Sequence, residues 1–301
     1  MTVYHNHTGQ LEEITEKPFK LEREMQRLFE ENLDVIMQLE PVKSEFTIKN
    51  KRIDTLAFDP QAVSFVIIEY KRDRNYSVVD QGFTYLSLML ENRADFIVEY
   101  NEKFKKPLKR DEVDWSQTRV VFVSQGFTEN QIQATNFKDI NIELWEVKQY
   151  ENNMIVVNPV KKSAAAESIK PLAQKDAKLR SVTSEIKEYT EEEHVAKASE
   201  GIAEVYQRFR SSILNLDDSI DIKALKYYVA FKKSKKNLAA IVIQQNALKM
   251  LINAPKGELD DPKGVARDVS SIGRWGTGDY EVRIKDDTNL EYIMSLVKQA
   301  L

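Results

Sequence analysis

The sequence has no cysteine among its 301 residues, and it has few histidines (3), prolines (8) and glycines (9). Without thiols the chain forms no disulfide, zinc–thiolate site or iron–sulfur cluster, and it has no thiol nucleophile. A metal bound by its side chains therefore sits on oxygen or imidazole ligands.

Long apolar runs are missing as well. Runs such as Val66-Ile67-Ile68 end within a few residues, whereas a helix that crosses a bilayer needs roughly 18 consecutive apolar residues. The polar N-terminus has no apolar stretch of the kind found in signal peptides. We therefore expect a cytoplasmic chain with no membrane partner.

Neither sign of charge dominates the composition, because 44 basic residues stand against 48 acidic ones and the net charge is −4. This balance excludes a dedicated basic coat for nucleic acid, so phosphate binding would depend on local patches or on a metal that masks carboxylates. Hydrophobic residues make up 42% of the chain, with 13 Phe, 12 Tyr and 3 Trp. That content supports folded cores and excludes wholesale disorder.

The pattern of the first 150 residues predicts a mixed α/β domain, with a sheet flanked by helices. Every residue from Val63 to Ile68 except Ser64 is apolar. Both faces of a strand with this sequence are apolar, as in a strand that is covered on both faces of a sheet. We predict helices at 20–38, 77–92 and 129–137, and strands at 45–48, 52–58, 63–68, 95–100, 118–124 and 141–147.

The rest of the chain predicts a linker and a second, smaller domain. Residues 161–193 are rich in Lys, Glu, Ala and Ser, and no glycine occurs between Gly126 and Gly201. A charged, helical linker fits this composition. We therefore divide the chain into a domain at 1–160, a linker at 161–193 and a small α+β domain at 194–301.

One group of residues carries the chemistry. Asp54 lies in the second strand of the predicted hairpin, while Glu69 and Lys71 lie two residues apart at the end of the buried strand, on one face. A strand-end salt bridge is one interpretation. The other is an oxygen site, because neighbouring strands can bring the two carboxylates together and Mg²⁺ or Mn²⁺ accepts such ligands. The lysine would then act on a water or on charge in the transition state, which points to phosphodiester hydrolysis.

These residues also resemble a known family. Arg52-Ile53-Asp54, Glu69-Tyr70-Lys71 and Gln81-x-x-x-Tyr85 occur in the order typical of the PD-(D/E)XK nucleases of the RecB-like branch. Over residues 21–150, the sequence around these motifs is similar to the catalytic domain of archaeal and actinobacterial endonucleases that cut branched or mismatched DNA. Ile53 stands where the family name has proline. The resemblance implies a restriction-endonuclease-like mixed sheet flanked by helices.

The resemblance also implies roles for further residues. Gln81 and Tyr85 would complete a catalytic group with Asp54, Glu69 and Lys71. Glu24, on the first helix, would help Asp54 and Glu69 to hold the metal. Without the resemblance, Gln81 and Tyr85 are polar residues at a helix–sheet seam, and the glutamate belongs to a solvated helix face.

The last third of the chain resembles a small family of unknown function, over residues 191–301. The marks are Leu259-Asp260-Asp261-Pro262, Ala266-Arg267-Asp268-Val269 and a glycine-rich segment from Gly273 to Tyr280. The family name supplies no chemistry. Candidate substrate-binding residues are Arg267, Arg274 and Trp275, together with Arg72 and Arg74 after the nuclease-like motif. Tight-turn glycines around a tryptophan packed in the core are the alternative.

The sequence therefore predicts a magnesium-dependent endonuclease that hydrolyses DNA, with a C-terminal domain that recognises the substrate. The alternative is a non-catalytic nucleic-acid-binding or assembly protein that keeps a degenerate nuclease fold. Cutting both strands of a duplex usually takes two active sites, so a homodimer is compatible with the prediction.

Overall fold

The computed structural model describes residues 2–72, 77–163, 165–174, 176–272 and 277–301, without the side chains of Leu172 and Lys178. The chain divides into two compact units. The first comprises Met1–Asp59 and Val63–Lys187, and the second comprises Pro60–Ala62 and Glu188–Leu301.

The first unit is built on a mixed sheet of six strands. A short hairpin of β1 (Val3–His7) and β2 (Gln10–Ile14) precedes it. The six strands are β3 (Glu40–Ile48), β4 (Lys51–Asp59), β5 (Ser64–Lys71), β6 (Arg119–Ser124), β7 (Ile142–Gln149) and β8 (Ile155–Pro159). They lie in sequence order across the sheet; β5, β6 and β7 are parallel, and the other neighbours are antiparallel.

Strand β5 lies inside the sheet and is covered on both faces, as its apolar run predicts. Phe65 and Ile67 belong to the core on one face, and Val66 and Ile68 belong to the core on the other. Seven α-helices and one short 3-10 helix, Trp115–Gln117, belong to this unit within the part of the chain that the structure describes. The α-helices are named in chain order. They are α1 (Glu22–Glu30), α2 (Leu33–Met37), α3 (Val78–Glu91), α4 (Arg93–Phe104), α5 (Glu129–Thr135), α6 (Lys170–Ala173) and α7 (Ala177–Glu185).

Several segments differ from the sequence prediction: β1, β2 and β8 are not among the predicted strands, and the helix expected at 20–38 is divided into α1 and α2. The strand expected at 95–100 is part of helix α4, where Phe96, Ile97 and Tyr100 are buried. Their spacing of one and four residues fits one side of a helix as well as it fits a short strand. In the segment expected as a linker, Ile169 and Val182 are buried in the core of the first unit. Sparse apolar residues are therefore enough to hold α6 and α7 against that unit.

The second unit has an antiparallel sheet with helices on one face. Its helices are α8 (Glu191–Val195), α9 (Glu200–Leu214) and α10 (Leu290–Lys298), and its strands are β9 (Ile220–Ala224), β10 (Val229–Lys233), β11 (Lys236–Gln244), β12 (Ala247–Ile252), β13 (Arg267–Asp268) and β14 (Tyr280–Ile284). The spatial order is β13, β14, β12, β11, β10, β9. Apolar residues of α9 and α10 form one core with alternate residues of this sheet.

The predicted fold class is confirmed, because one unit has a mixed sheet flanked by helices and the other has a separate antiparallel sheet. No helix in the described ranges is both long enough and apolar enough to cross a membrane.

Candidate active site

The strand pair β4–β5 brings the two predicted carboxylates together. Thr55 of β4 pairs with Ile68 of β5, so Asp54 and Glu69 lie opposite each other one residue further along. Glu69 Oε1 accepts a hydrogen bond from the backbone N–H of Asp54 at 3.2 Å. In return, Asp54 Oδ2 accepts one from the backbone N–H of Tyr70 at 3.0 Å. The antiparallel register thus fixes both carboxylates at one end of the strand pair.

Lys71 lies on the same side of β5 as Glu69, as strand alternation predicts. Its Nζ donates to Glu69 Oε2 at 3.2 Å. The side chains of the lysine and the glutamate are 13% and 2% exposed. The ion pair is therefore largely withdrawn from water.

Helix α3 adds an amide and a phenol to this group. Gln81 Nε2 donates to Glu69 Oε2 at 3.0 Å, and it also lies 3.2 Å from the hydroxyl of Tyr85. The tyrosine hydroxyl donates to the backbone carbonyl of Arg52 at 3.1 Å. Because Gln81 and Tyr85 are four residues apart, both lie on the helix face that meets the strand ends.

A glycine allows this close approach of α3. A Cβ placed on Gly82 would lie 2.5 Å from Cδ1 of Ile142, on strand β7. Real side chains do not tolerate such a distance without a shift of the neighbour. The absence of a side chain at position 82 therefore lets the helix pack against the sheet with Gln81 within reach of Glu69.

Burial raises the pKa of both carboxylates. The pKa of Glu69 rises to about 7, chiefly through desolvation and next through the negative charge of Asp54, while Lys71 opposes the shift. The pKa of Asp54 is also raised, again mainly by burial, with contributions from Glu45 and Glu22. An added positive charge would favour ionisation of both groups.

A cavity of about 550 Å³ opens beside Asp54. Its lining residues are Glu22, Arg23, Gln26, Arg27, Glu30, Ser44, Glu45, Arg52 and Asp54. Gln26 supports the wall, since its Nε2 donates to the carbonyl of Asp54 at 2.9 Å. Glu45 pairs with Arg52 at 2.8 Å. The cavity thus gives Asp54 an opening toward solvent between basic and acidic side chains.

Glu24 does not take part in this arrangement. Its Oε2 accepts hydrogen bonds from the backbone N–H groups of Lys20 and Leu21, at 2.9 and 3.2 Å. Such contacts satisfy the free amides at the start of a helix. The residue that sequence reasoning missed is Glu22, which lines the cavity and accepts from the backbone N–H of Arg72 at 2.8 Å. The sequence does not mark where α1 begins, because its N-cap residue is Leu21 and the residues usual at that position are Ser, Thr, Asp and Asn.

The predicted substrate-binding residues are only partly described. Arg72 is exposed, and its Nη1 donates to the carbonyl of Lys20 at 3.4 Å. Arg267 pairs with Glu281 at 2.9 Å in the second unit. Arg74, Arg274 and Trp275 lie outside the described residues.

The donor set of the site consists of two carboxylates. Within the described ranges, no group of three or more His, Asp or Glu side chains is arranged to hold a metal ion. Mg²⁺ commonly binds through one or two carboxylates and completes its coordination with water and phosphate oxygens. Asp54 and Glu69 therefore fit this ion by number and by donor type.

Comparison with known proteins gives one relative over the whole chain. An uncharacterized protein of Haemophilus influenzae is 54% identical over 301 residues, which is 100% of this chain and 99% of that protein. Residues 191–301 match a domain of unknown function, DUF5655.

Two solved structures are similar to part of the chain. One is a complex of EndoMS with double-stranded DNA, at 20% identity and a TM-score of 0.30, covering 43% of this chain and 47% of that one. The other is a repair endonuclease from Pyrococcus abyssi, at 20% identity and a TM-score of 0.26, covering 44% of this chain and 50% of that one. This chain thus matches about half the length of each.

Proposed function

We propose that this chain hydrolyses phosphodiester bonds in DNA with the help of a divalent metal. The chain belongs to the same family as the Haemophilus influenzae protein, and we propose the same function for that family. The observation that carries the proposal is the group formed by Asp54, Glu69, Lys71 and Gln81. An acid pair, a half-buried lysine and an amide that all meet at one strand end serve phosphoryl chemistry better than they serve stability.

Asp54 and Glu69 would hold the metal, which we take to be Mg²⁺ or Mn²⁺. When bound, such an ion polarises a phosphoryl oxygen and lowers the pKa of a water. The raised pKa values of the two carboxylates support this assignment, because burial disfavours the charged form of each group and a bound cation would favour it.

The other residues would position the carboxylates and handle charge. The ammonium group of Lys71 is held 3.2 Å from Glu69 Oε2, where it would orient a water or offset negative charge on the phosphate. Gln81 would fix the Glu69 carboxylate, and Tyr85 would fix Gln81 against the backbone of Arg52. We assign Glu22 the accessory place that the sequence suggested for Glu24.

The second unit would recognise the substrate, with Arg267 as one contact. The proposal includes a cytoplasmic location and a homodimer for cutting both strands of a duplex. The competing function is binding of nucleic acid without catalysis. The binding surface of a protein with that function should carry little negative charge near the phosphates, whereas the carboxylates of Asp54 and Glu69 lie together at the centre of this site.

A nuclease assay on the full chain tests the proposal. Labelled single-stranded, double-stranded, branched and mismatched DNA, with an RNA control, are incubated with Mg²⁺, Mn²⁺ or EDTA. We expect metal-dependent cleavage of DNA by the wild type and by Glu102→Gln, a control at an exposed carboxylate of α4. Asp54→Asn and Glu69→Gln should each abolish it. If the wild type cleaves none of the substrates, the non-catalytic alternative replaces the proposal.

A further inference from the structure

The two faces of the sheet in the second unit differ in chemistry. Alternate residues such as Ile241, Met250 and Val282 join the core formed with α9 and α10. On the opposite face of the same strands lie Val242, Lys249 and Glu281 instead. Charged and half-buried residues thus share a face that the helices do not cover.

A cavity of about 490 Å³ lies on this face, within the size range of small-ligand sites. We call it the sheet-face cavity. Its cationic lining residues are Lys197, Lys226, Lys249 and Arg267, and Glu281 is the acidic residue among the described residues that line it. In a chain with a net charge of −4, this wall is a local concentration of positive charge.

The acidic residue does not cancel that charge. Glu281 lies 2.9 Å from Arg267 and 3.9 Å from Lys249, and its side chain is only 13% exposed. One carboxylate is therefore shared by two of the four cations that line the cavity. Such a wall attracts an anionic ligand.

Other residues of the wall suit a flat, apolar part of the ligand. Tyr227 is half-buried, and the Nζ of Lys226 lies 4.8 Å from the centre of its ring. Val242 is half-buried at the cavity and contributes aliphatic surface, and Ile272 is 48% exposed there. Phosphate groups next to aromatic bases combine both properties, and an aromatic ring beside cations is the usual way to bind them.

We propose that the sheet-face cavity binds a single strand of nucleic acid, with a base on the ring of Tyr227 and phosphates on Lys226, Lys249 and Arg267. The inference rests on the proposed function only for its choice of nucleic acid as the ligand. A single strand is favoured because the faces of its bases are accessible, whereas a duplex keeps them stacked.

Binding of a labelled single-stranded DNA oligonucleotide to the full chain in EDTA tests the inference, since cleavage does not then alter the probe. We expect Tyr227→Ala to weaken binding about fivefold or more, while Tyr227→Phe binds like the wild type because stacking is kept. Lys249→Gln should reduce the slope of log K against log salt concentration by about 0.7. The matched control is Lys298→Gln, at an exposed lysine of α10.

The outcomes separate this inference from the proposed nuclease. Thermal melts first establish that each variant is folded, and Tyr227→Phe provides a second folded reference. If Tyr227→Ala and Lys249→Gln bind like Lys298→Gln, or if the wild type binds no oligonucleotide, the inference is overturned even where cleavage is observed. An equal loss on duplex DNA overturns the single-strand assignment. Loss of binding in a protein that cleaves nothing supports the inference and removes the nuclease.

Discussion

At the scale of single residues, Glu69 is the group on which the site depends. It is 2% exposed and accepts hydrogen bonds from Asp54, Lys71 and Gln81. A buried carboxylate with three donors and a raised pKa exchanges protons near neutral pH, so its charge depends on what lies beside it. The metal that we propose for this site would therefore compete with protons for the same oxygens.

This competition predicts a pH-dependent metal affinity. The pKa of Glu69 is raised to about 7 in the folded chain, so the folded state binds a proton more tightly than the unfolded state does. Stability without metal should fall as pH rises from about 4.5 through 7, and Glu69→Gln should reduce this fall, while the raised pKa of Asp54 still contributes in the same direction. Metal affinity should increase over the same interval and then level off.

Melting temperatures at several Mg²⁺ or Mn²⁺ concentrations and pH values measure both effects. Asp54→Asn/Glu69→Gln should show no metal-dependent shift, and the exposed-site variant Glu102→Gln should shift like the wild type. A double variant with an unchanged metal response would refute the assignment of these ligands.

Lys71 distinguishes an enzyme from a structural remnant. If it acts on the attacking water or on transition-state charge, Lys71→Ala should lower single-turnover cleavage by roughly a hundredfold or more, with metal binding nearly intact. Lysine suits this role because its ammonium group is a compact charge with three donors on a flexible stem. Cleavage at saturating protein, together with thermal melts, gives the comparison. Equal rates in wild type and variant would exclude Lys71 from the mechanism.

At the scale of elements, the approach of α3 to the sheet sets the position of Gln81. Gly82 leaves no room for a Cβ beside Ile142 Cδ1. We expect Gly82→Val to destabilise the fold by about 1–3 kcal/mol through overpacking, and to weaken metal binding because Gln81 moves away from Glu69.

A matched pair of variants tests whether this contact is the cause. Ile142→Val removes the Cδ1 methyl that an alanine at position 82 would meet, so Gly82→Ala/Ile142→Val should cost less than the sum of the single variants. Urea unfolding of the four proteins measures the coupling. If the changes in unfolding free energy of the two single variants add up to that of the double variant, the contact between positions 82 and 142 does not set the distance between α3 and the sheet.

The helices and strands also show which parts of the fold can be predicted from the sequence. The strand containing Glu69 and the helix containing Gln81 were predicted, because one has a continuous apolar run and the other starts with Ser77, whose hydroxyl accepts from Asp80 N–H. The sequence predicts a strand at 95–100 because so short a run fits the period of a strand as well as that of a helix, and Phe96, Ile97 and Tyr100 lie on the buried side of α4 instead. The sequence does not distinguish Glu22 from Glu24, because the side of the helix on which each glutamate lies depends on the exact residue at which the helix begins.

At the scale of the whole molecule, the division of the chain decides where it can be shortened. Ile169 and Val182 are buried with the core of the first unit, which extends to Lys187. A chain that ends at Val160 lacks both residues, whereas one that ends at Lys187 keeps them. Loss of a buried large aliphatic side chain usually costs about 2–5 kcal/mol, so the position of the cut should determine the stability of what remains.

We therefore predict that the chain ending at Lys187 has a clearly higher melting temperature and urea midpoint than the chain ending at Val160. Ile169→Ala/Val182→Ala in the longer of the two is the matched control, because it removes the same contacts without shortening the chain and should lower both values toward those of the shorter one. Equal stability of the two shortened chains would mean that α6 and α7 contribute nothing to the first unit. If the longer chain is folded and cleaves DNA with metal, a comparison of its substrate preference with that of the full chain then isolates what Glu188–Leu301 contributes.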